Sequence, residues 1–207
     1  MVEAKGEGRG AYRKALEWLP WLLIAARAAA ALVLALALAA RALSDTLVLW
    51  LFVVAFVSDY FDGVIARALA VVTRRLRQAD SVVDTVFYLV LAVATWTLHP
   101  EPLRRHAFAL GVVLGTLAAW YLLDLIRWHA AAGFHSWSAK VFAAALGVWA
   151  VAQYGFGGSG PWLLVACVVG TLSHLEGMAI SLVLRRHVAD VPTVLHALRL
   201  RNGGAPD

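Results

Sequence analysis

The stretch VSDYFDGVIARALAVVTRRLRQADSVVD, residues 57–84, places four aspartates in a chain that is otherwise dominated by alanine, leucine and valine. Of the 207 residues, 62% are hydrophobic, whereas a soluble domain has roughly 45–50%. A charged side chain near the centre of a membrane helix costs about 2.5–3.5 kcal/mol, and the few that occur there usually serve a function. The composition therefore indicates a membrane protein, and the aspartates mark its candidate functional site.

Apolar runs on both sides of this stretch predict an all-α fold, a bundle of six transmembrane helices. A bilayer span needs about 17–25 apolar residues, and the predicted spans are 19–43, 46–69, 79–98, 105–127, 138–155 and 161–184. The predicted organisation is an N-terminal cytoplasmic or interfacial segment at 1–18, a six-span membrane domain at 19–186 and a cytoplasmic C-terminal tail at 187–207.

The N-terminal segment has acidic and basic residues and no small-residue cleavage pattern, so we expect it to be retained rather than removed as a signal peptide. Its residues 11–21 predict a short amphipathic helix that lies on the membrane surface. A frayed start of the first span is the alternative.

The distribution of basic residues predicts the orientation. With six spans, both termini share one side, and that side collects most of the lysines and arginines: Lys5, Arg9, Arg13, Lys14, Arg74, Arg75, Arg77, Arg185, Arg186, Arg199 and Arg201. The positive-inside rule makes this side cytoplasmic. The formal net charge of +5 thus reflects topology, and no nucleic-acid partner is expected. The single cysteine, Cys167, excludes an internal disulfide or a cysteine-based zinc site.

The spacing of the aspartates predicts that their side chains meet. Asp59 and Asp62 lie three residues apart near the end of the second span, and Asp80 and Asp84 lie four apart at the start of the third. Such pairs share a helix face, and the short connection at 70–78 makes the two helices antiparallel neighbours. Four adjacent carboxylates need a cation, and Mg²⁺ is commonly held by carboxylates together with substrate phosphates.

Two such ions are a common device for displacement at phosphorus, so the cluster predicts a metal site that handles a phosphate ester. The alternative is that the aspartates only pair with nearby arginines, namely Arg67, Arg74, Arg75 and Arg77.

The same stretch resembles the signature of the CDP-alcohol phosphatidyltransferase family, D-x2-D-G-x2-A-R-x8-G-x3-D-x3-D. Residue and spacing match at every motif position except one, where Leu76 stands in place of the second glycine. Six spans with cytoplasmic termini also resemble the membrane domain of this family.

The resemblance implies a role for each matching residue. Asp59, Asp62, Asp80 and Asp84 would hold two divalent ions, Mg²⁺ or Mn²⁺, that bind the pyrophosphate of CDP-diacylglycerol. Asp84 would also be the catalytic base that takes the proton from the acceptor hydroxyl. Substrate-binding residues would be Gly63, Ala66 and Arg67. The products would be CMP and a phosphodiester lipid, formed at the cytoplasmic face of the cell (inner) membrane.

Two further cations have similar counterparts in the family. Lys140 lies in HSWSAK, which resembles the S-W-x-G-K segment of members with phosphorylated acceptors, so the resemblance implies that it binds the acceptor, best identified as glycerol 3-phosphate. Inositol phosphate or a neutral alcohol is the alternative acceptor. Arg27 resembles the arginine of the family's first-span motif. For both residues, snorkelling to the membrane surface is an equal alternative.

Two other classes of protein remain open from the sequence. One is a transporter or channel whose aspartates coordinate a cation, and the other is a non-catalytic membrane protein that keeps a metal site. The resemblance also implies a homodimer packed through membrane helices, and GVVLG at 111–115 offers the small residues that permit close helix approach.

Overall fold

The computed structural model describes residues 18–68, 73–129, 136–158, 160–186, 188 and 191–202. Within these ranges it describes only the backbone of residues 62–64, 66–68, 74, 77, 78 and 81. The regular elements are helical: α1 Leu19–Ala39, α2 Asp45–Ala68, α3 Arg74–Leu98, α4 Pro100–Arg105, α5 Ala107–Trp128, α6 Trp137–Ala150, α7 Trp162–Val183 and α8 Val194–Arg201, with a π-helical turn at Val151–Gly155. The described residues contain no strand, so the all-α prediction is confirmed.

Three helices in the described part of the chain are long and apolar enough to cross a membrane, namely α1, α5 and α7. A shorter apolar helical segment covers Val82–Leu98. The other predicted spans coincide with helices, but the number of six crossings stays a prediction. The predicted amphipathic helix at 11–21 falls largely outside the described residues.

Local sequence explains where several helices begin. Thr73, Ser136 and Thr193 precede α3, α6 and α8, and each side chain accepts a hydrogen bond from a backbone N–H three residues later. Such N-caps satisfy donors that have no partner within the helix. Pro20 lies in the first turn of α1, where its missing N–H costs nothing.

The chain divides into two compact units, one up to Pro100 and one from Glu101 onwards. In the first unit, α1 packs along both α2 and α3, while α2 and α3 contact each other only slightly. The side chains of Ile24, Ala30, Ala31 and Leu34 are buried along α1. Helix α1 therefore packs along both aspartate-bearing helices, which also contact each other as the short connection predicts.

In the second unit, α7 is the central helix, and it packs against α5, α6 and α8. Two glycines allow this close packing. A Cβ atom added at Gly170 would lie 2.6 Å from the Phe142 ring, and one added at Gly177 would lie 2.6 Å from the Trp120 ring. Glycine is therefore required sterically at both positions.

Helix α8 lies within the predicted C-terminal tail and packs against the end of α7. Ala197 of α8 is buried, and Val191, just before the helix, belongs to a buried cluster with Ile180 and Leu184. Part of the predicted tail is thus an ordered portion of the second unit.

Candidate functional site

Three of the four aspartates of the sequence motif come together in the first unit. Asp59 of α2 and Asp80 and Asp84 of α3 each offer a carboxylate oxygen, and these three oxygens lie within 4.8 Å of one another. The backbone of Asp62 belongs to α2, but its side chain is outside the described part of the structure. The helical spacing therefore predicted the meeting of Asp59, Asp80 and Asp84 correctly.

A single arginine from α1 joins these carboxylates. Nη1 of Arg27 donates to Oδ1 of Asp80 at 2.7 Å and to Oδ1 of Asp84, and Nη2 lies 3.4 Å from Oδ1 of Asp59. The Arg27 side chain is only 1% exposed. The snorkelling alternative for Arg27 is wrong, because the guanidinium points into the aspartate cluster rather than to a helix end.

The carboxylates remain accessible although the arginine is not. Side-chain exposure is 46% for Asp59, 33% for Asp80 and 29% for Asp84. The guanidinium thus approaches the cluster from the interior, and the carboxylates have sides that face outward. A cation can reach the exposed parts of these carboxylates.

The charges and donor atoms of this cluster fit a divalent cation. One guanidinium brings one positive charge against three carboxylates, which leaves two negative charges if all three are ionised. Carboxylate oxygens are the ligands preferred by hard cations such as Mg²⁺. The described site residues therefore suit a divalent metal in both charge and chemistry.

Leu76, which replaces the second motif glycine, lies one turn before Asp80 on α3. Its side chain is buried and packs with Ile24 of α1, with Ala79 and Val83 beside it. Ile24 is one turn from Arg27, so the leucine contributes to the α1–α3 contact that brings the arginine to the carboxylates. The departure from the motif is thus accommodated by packing between two helices.

The structure describes the other predicted site residues less fully or places them in the second unit. The backbones of Gly63, Ala66 and Arg67 belong to α2, and their side chains are outside the described part. Lys140 is exposed in the first turns of α6, and its Nζ lies 4.3 Å from the centroid of the Trp137 ring. The predicted roles of these four residues stay predictions.

Buried polar residues of the second unit form contacts between helices. Ser181 of α7 donates to Oδ1 of Asp124 at 2.5 Å and accepts from Trp128 Nε1 at 2.9 Å. His174 lies 3.2 Å from the Thr116 hydroxyl. Arg127 donates to the carbonyl of Leu184 at 2.9 Å. These groups join α5 to α7, and none of these contacts assembles several carboxylates.

The position of Arg27 is the part of the site that sequence reasoning left open. The resemblance to the family's first-span motif marks this arginine, but the sequence around it does not reveal its partners. A charged residue within an apolar helix usually pairs with another charged group or with backbone carbonyls. Matching it to the aspartates required the packing of α1.

Comparison with known proteins agrees with the motif and the geometry. The family model for CDP-alcohol phosphatidyltransferase matches residues 17–183. No curated protein and no solved structure matches the chain. The match covers most of the chain, including α1 with Arg27 and both aspartate-bearing helices. The chain therefore belongs to the CDP-alcohol phosphatidyltransferase family and is an enzyme that transfers a phosphatidyl group from a CDP-linked alcohol.

Proposed function

We propose that this enzyme transfers the phosphatidyl group of CDP-diacylglycerol to glycerol 3-phosphate in a reaction that uses two divalent cations. The observation that carries the proposal is the convergence of Asp59, Asp80 and Asp84, whose carboxylate oxygens lie within 4.8 Å of one another and whose side chains are partly exposed. The family typically uses a divalent metal. A group of oxygen ligands beside a membrane helix bundle suits a substrate that combines a lipid with a pyrophosphate.

The four motif aspartates would hold the cations, with Asp62 completing the set through its place on α2. Bound Mg²⁺ or Mn²⁺ would supply positive charge to the pyrophosphate and to the departing CMP. Small residues at Gly63 and Ala66 would let the nucleotide approach α2 closely. Arg67 would add a charge-assisted contact to the phosphates.

Asp84 is the proposed catalytic base. Its carboxylate would accept the proton of the acceptor hydroxyl while that oxygen forms a bond to the phosphorus that carries the diacylglycerol. The bond from this phosphorus to the CMP oxygen would break, and CMP would leave. A base must lie within hydrogen-bond reach of the proton it accepts, and the 29% exposure of Asp84 gives an acceptor such access.

The decisive experiment measures CMP release by purified protein in detergent with CDP-diacylglycerol, Mn²⁺ and one acceptor at a time. The panel contains glycerol 3-phosphate, inositol phosphate, serine and glycerol, with thin-layer chromatography of the lipid product. We expect glycerol 3-phosphate to give the highest kcat/KM. Preferential use of a neutral alcohol would reject the proposed acceptor, and activity in excess chelator would reject the metal requirement.

Lys140 is the proposed binding residue for the acceptor phosphate. The cations and aspartates account for the CDP end, so a second anion needs a positive charge of its own. Lys140 is exposed, and its stacking on Trp137 restricts where the ammonium lies. Lysine binds phosphate as a point charge.

Lys140→Ala is therefore expected to raise the KM for glycerol 3-phosphate and to leave the KM for CDP-diacylglycerol nearly unchanged. Arg104→Ala is a control, because Arg104 is an exposed arginine that pairs with Glu101. Unchanged acceptor kinetics in Lys140→Ala would remove Lys140 from the site.

The proposed location is the cell (inner) membrane with both termini and the aspartate cluster on the cytoplasmic side. Cysteine labelling can test this orientation. The single cysteine, Cys167, is buried and is first replaced by alanine, so that only introduced cysteines react. Cysteines are then placed at Thr73 or at Asn202 and labelled in intact cells with a reagent that does not cross the membrane. Labelling only after permeabilisation is expected, and labelling of intact cells would reverse the orientation.

A homodimer is the proposed assembly. Gly111 and Gly115 of α5 are exposed, and an added Cβ atom at either position meets nothing within 4 Å. This face of α5 can therefore accept a second helix. Light scattering in mild detergent should report a dimer that Gly115→Leu weakens. A wild-type monomer over a concentration series would contradict the assembly.

A further inference from the structure

The Arg27 side chain is much less exposed to solvent than the three aspartate side chains that it contacts. It is 1% exposed, whereas the partner side chains are between 29% and 46% exposed. The arginine thus contacts the carboxylates from the buried side of the cluster. The exposed sides of the same carboxylates are available to a ligand.

The buried position makes displacement of the guanidinium unfavourable. A charged group removed from water is strongly destabilising unless an opposite charge compensates it. Leaving the cluster would separate Arg27 from Asp80 and Asp84, which accept its hydrogen bonds. A cation that binds to the exposed sides requires no such separation.

The charge balance is consistent with both groups being present together. Arg27 offsets part of the negative charge of these carboxylates, and divalent cations would supply further positive charge. The guanidinium also reduces the mutual repulsion of the carboxylates, which come from two helices that contact each other only slightly. Groups that orient metal ligands in this way often determine metal affinity.

We propose that Arg27 is a positioning residue that holds Asp59, Asp80 and Asp84 from their buried side, so that their exposed sides converge on the divalent cation, and that Arg27 stays in place when the cation binds. The inference rests on the metal-dependent transfer proposed above. It assigns to the first helix a direct part in building a site whose ligands all come from α2 and α3.

The shape of arginine is important in this role. Nη1 bonds to Asp80 and Asp84 while Nη2 approaches Asp59, so two nitrogen atoms of one rigid plane serve three carboxylates. Lysine has a single compact ammonium group on a flexible stem. Lysine at position 27 would keep the charge but would lose the fixed arrangement of the donors.

The test measures Mn²⁺ binding to the full-length protein in detergent, by the loss of the free-ion electron paramagnetic resonance signal. Wild type is compared with Arg27→Lys and Arg27→Met. We expect Arg27→Lys to weaken Mn²⁺ binding about tenfold and Arg27→Met about a hundredfold, the range that is typical for removing groups that orient metal ligands. Arg41→Met is the control, because Arg41 is exposed in the same unit. This variant should bind Mn²⁺ with the affinity of wild type.

A second readout separates positioning from general damage to the fold. Turnover of Arg27→Lys should recover as the Mn²⁺ concentration is raised, because its defect lies in occupancy of the site. A protein with a disrupted fold would not recover. If Arg27→Met fails to fold, Arg27→Lys alone carries the test.

The outcomes distinguish this inference from the function on which it rests. If wild type and Asp80→Asn both fail to bind Mn²⁺, the metal requirement of the proposed function is rejected. If wild type binds Mn²⁺ and Arg27→Lys binds equally well, the positioning role is rejected. Tighter binding by Arg27→Met would also reject it, because that result would mean that arginine and metal compete for the same carboxylates.

Discussion

The two units of this protein treat their buried polar side chains in opposite ways. In the first unit, one buried arginine holds three carboxylates that stay partly exposed. In the second unit, Asp124 is itself 1% exposed and accepts a hydrogen bond from Ser181. The first arrangement leaves its carboxyl groups partly exposed, and the second encloses its carboxyl group between helices. The difference separates a cluster suited to chemistry from a contact suited to holding helices together.

Replacing one aspartate in each unit by asparagine tests most directly whether the two units differ in function. Asp80→Asn removes a proposed metal ligand and should lower turnover by at least about 10³-fold, because metal stabilisation of the reacting charge is worth several kcal/mol. The measurement is CMP release at saturating CDP-diacylglycerol.

Asp124→Asn is the matched control for this change. An asparagine oxygen can still accept the Ser181 hydrogen bond, so turnover should stay within a few-fold of wild type. Equal losses in the two variants would show that the two units do not differ in the way that their exposures indicate.

The next largest effect is expected at Asp84. Asp84→Asn should lower kcat by about 10²–10⁴-fold, the range for removal of a general base, while the donor still binds. Equilibrium binding of CDP-diacylglycerol, measured by calorimetry in detergent, separates the two properties. If the variant turns over at the normal rate, Asp84 is at most a metal ligand.

In the second unit, the close packing of α7 is tested best at Gly177, the glycine that faces Trp120. Gly177→Ala would place a Cβ atom 2.6 Å from the Trp120 ring, and overpacking of this kind costs about 1–3 kcal/mol. We expect a lower midpoint of thermal unfolding. Gly158→Ala, whose Cβ atom would meet nothing within 4 Å, should not lower it, and equal shifts would contradict the close packing at Gly177.

The smallest effect is expected at Ser181. Ser181→Ala removes the hydroxyl between Asp124 and Trp128, and hydrogen bonds between membrane helices are worth about 1 kcal/mol. Unfolding should therefore begin at slightly lower denaturant, and turnover should not change. Thr97→Ala removes an exposed hydroxyl that bonds within α3 and serves as the control. A large loss of turnover in Ser181→Ala would give the second unit a catalytic part.

Local sequence was sufficient to locate the helices and the aspartate cluster. The apolar runs gave helical positions close to those observed, and intervals of three and four residues placed the carboxylates correctly because the helix period fixes which side chains share a face. Two small elements are not given by the predicted spans: α4 lies in a break between two of them, and the π-helical turn at Val151–Gly155 lies at the end of the fifth. Helix α8 was missed because its sequence resembles a charged tail.

The centre of the site was harder to predict for a different reason. The partners of Arg27 depend on which helices pack against α1, and no interval within one helix contains that information. The side chain of Leu76 is buried against Ile24, a contact that the motif alone does not predict. The positions of both side chains depend on contacts between helices that are far apart in sequence.

The same long-range arrangement has a consequence for biosynthesis. Arg27 precedes Asp80 by 53 residues and Asp84 by 57, so α1 is synthesised well before the carboxylates that accept its hydrogen bonds. Until they arrive, α1 carries an uncompensated charge that makes its entry into the bilayer less favourable by about 2.5–3.5 kcal/mol. The strongly apolar remainder of α1 offsets this cost. The first helix should therefore enter the membrane by itself and reach its final position only when α3 has been made.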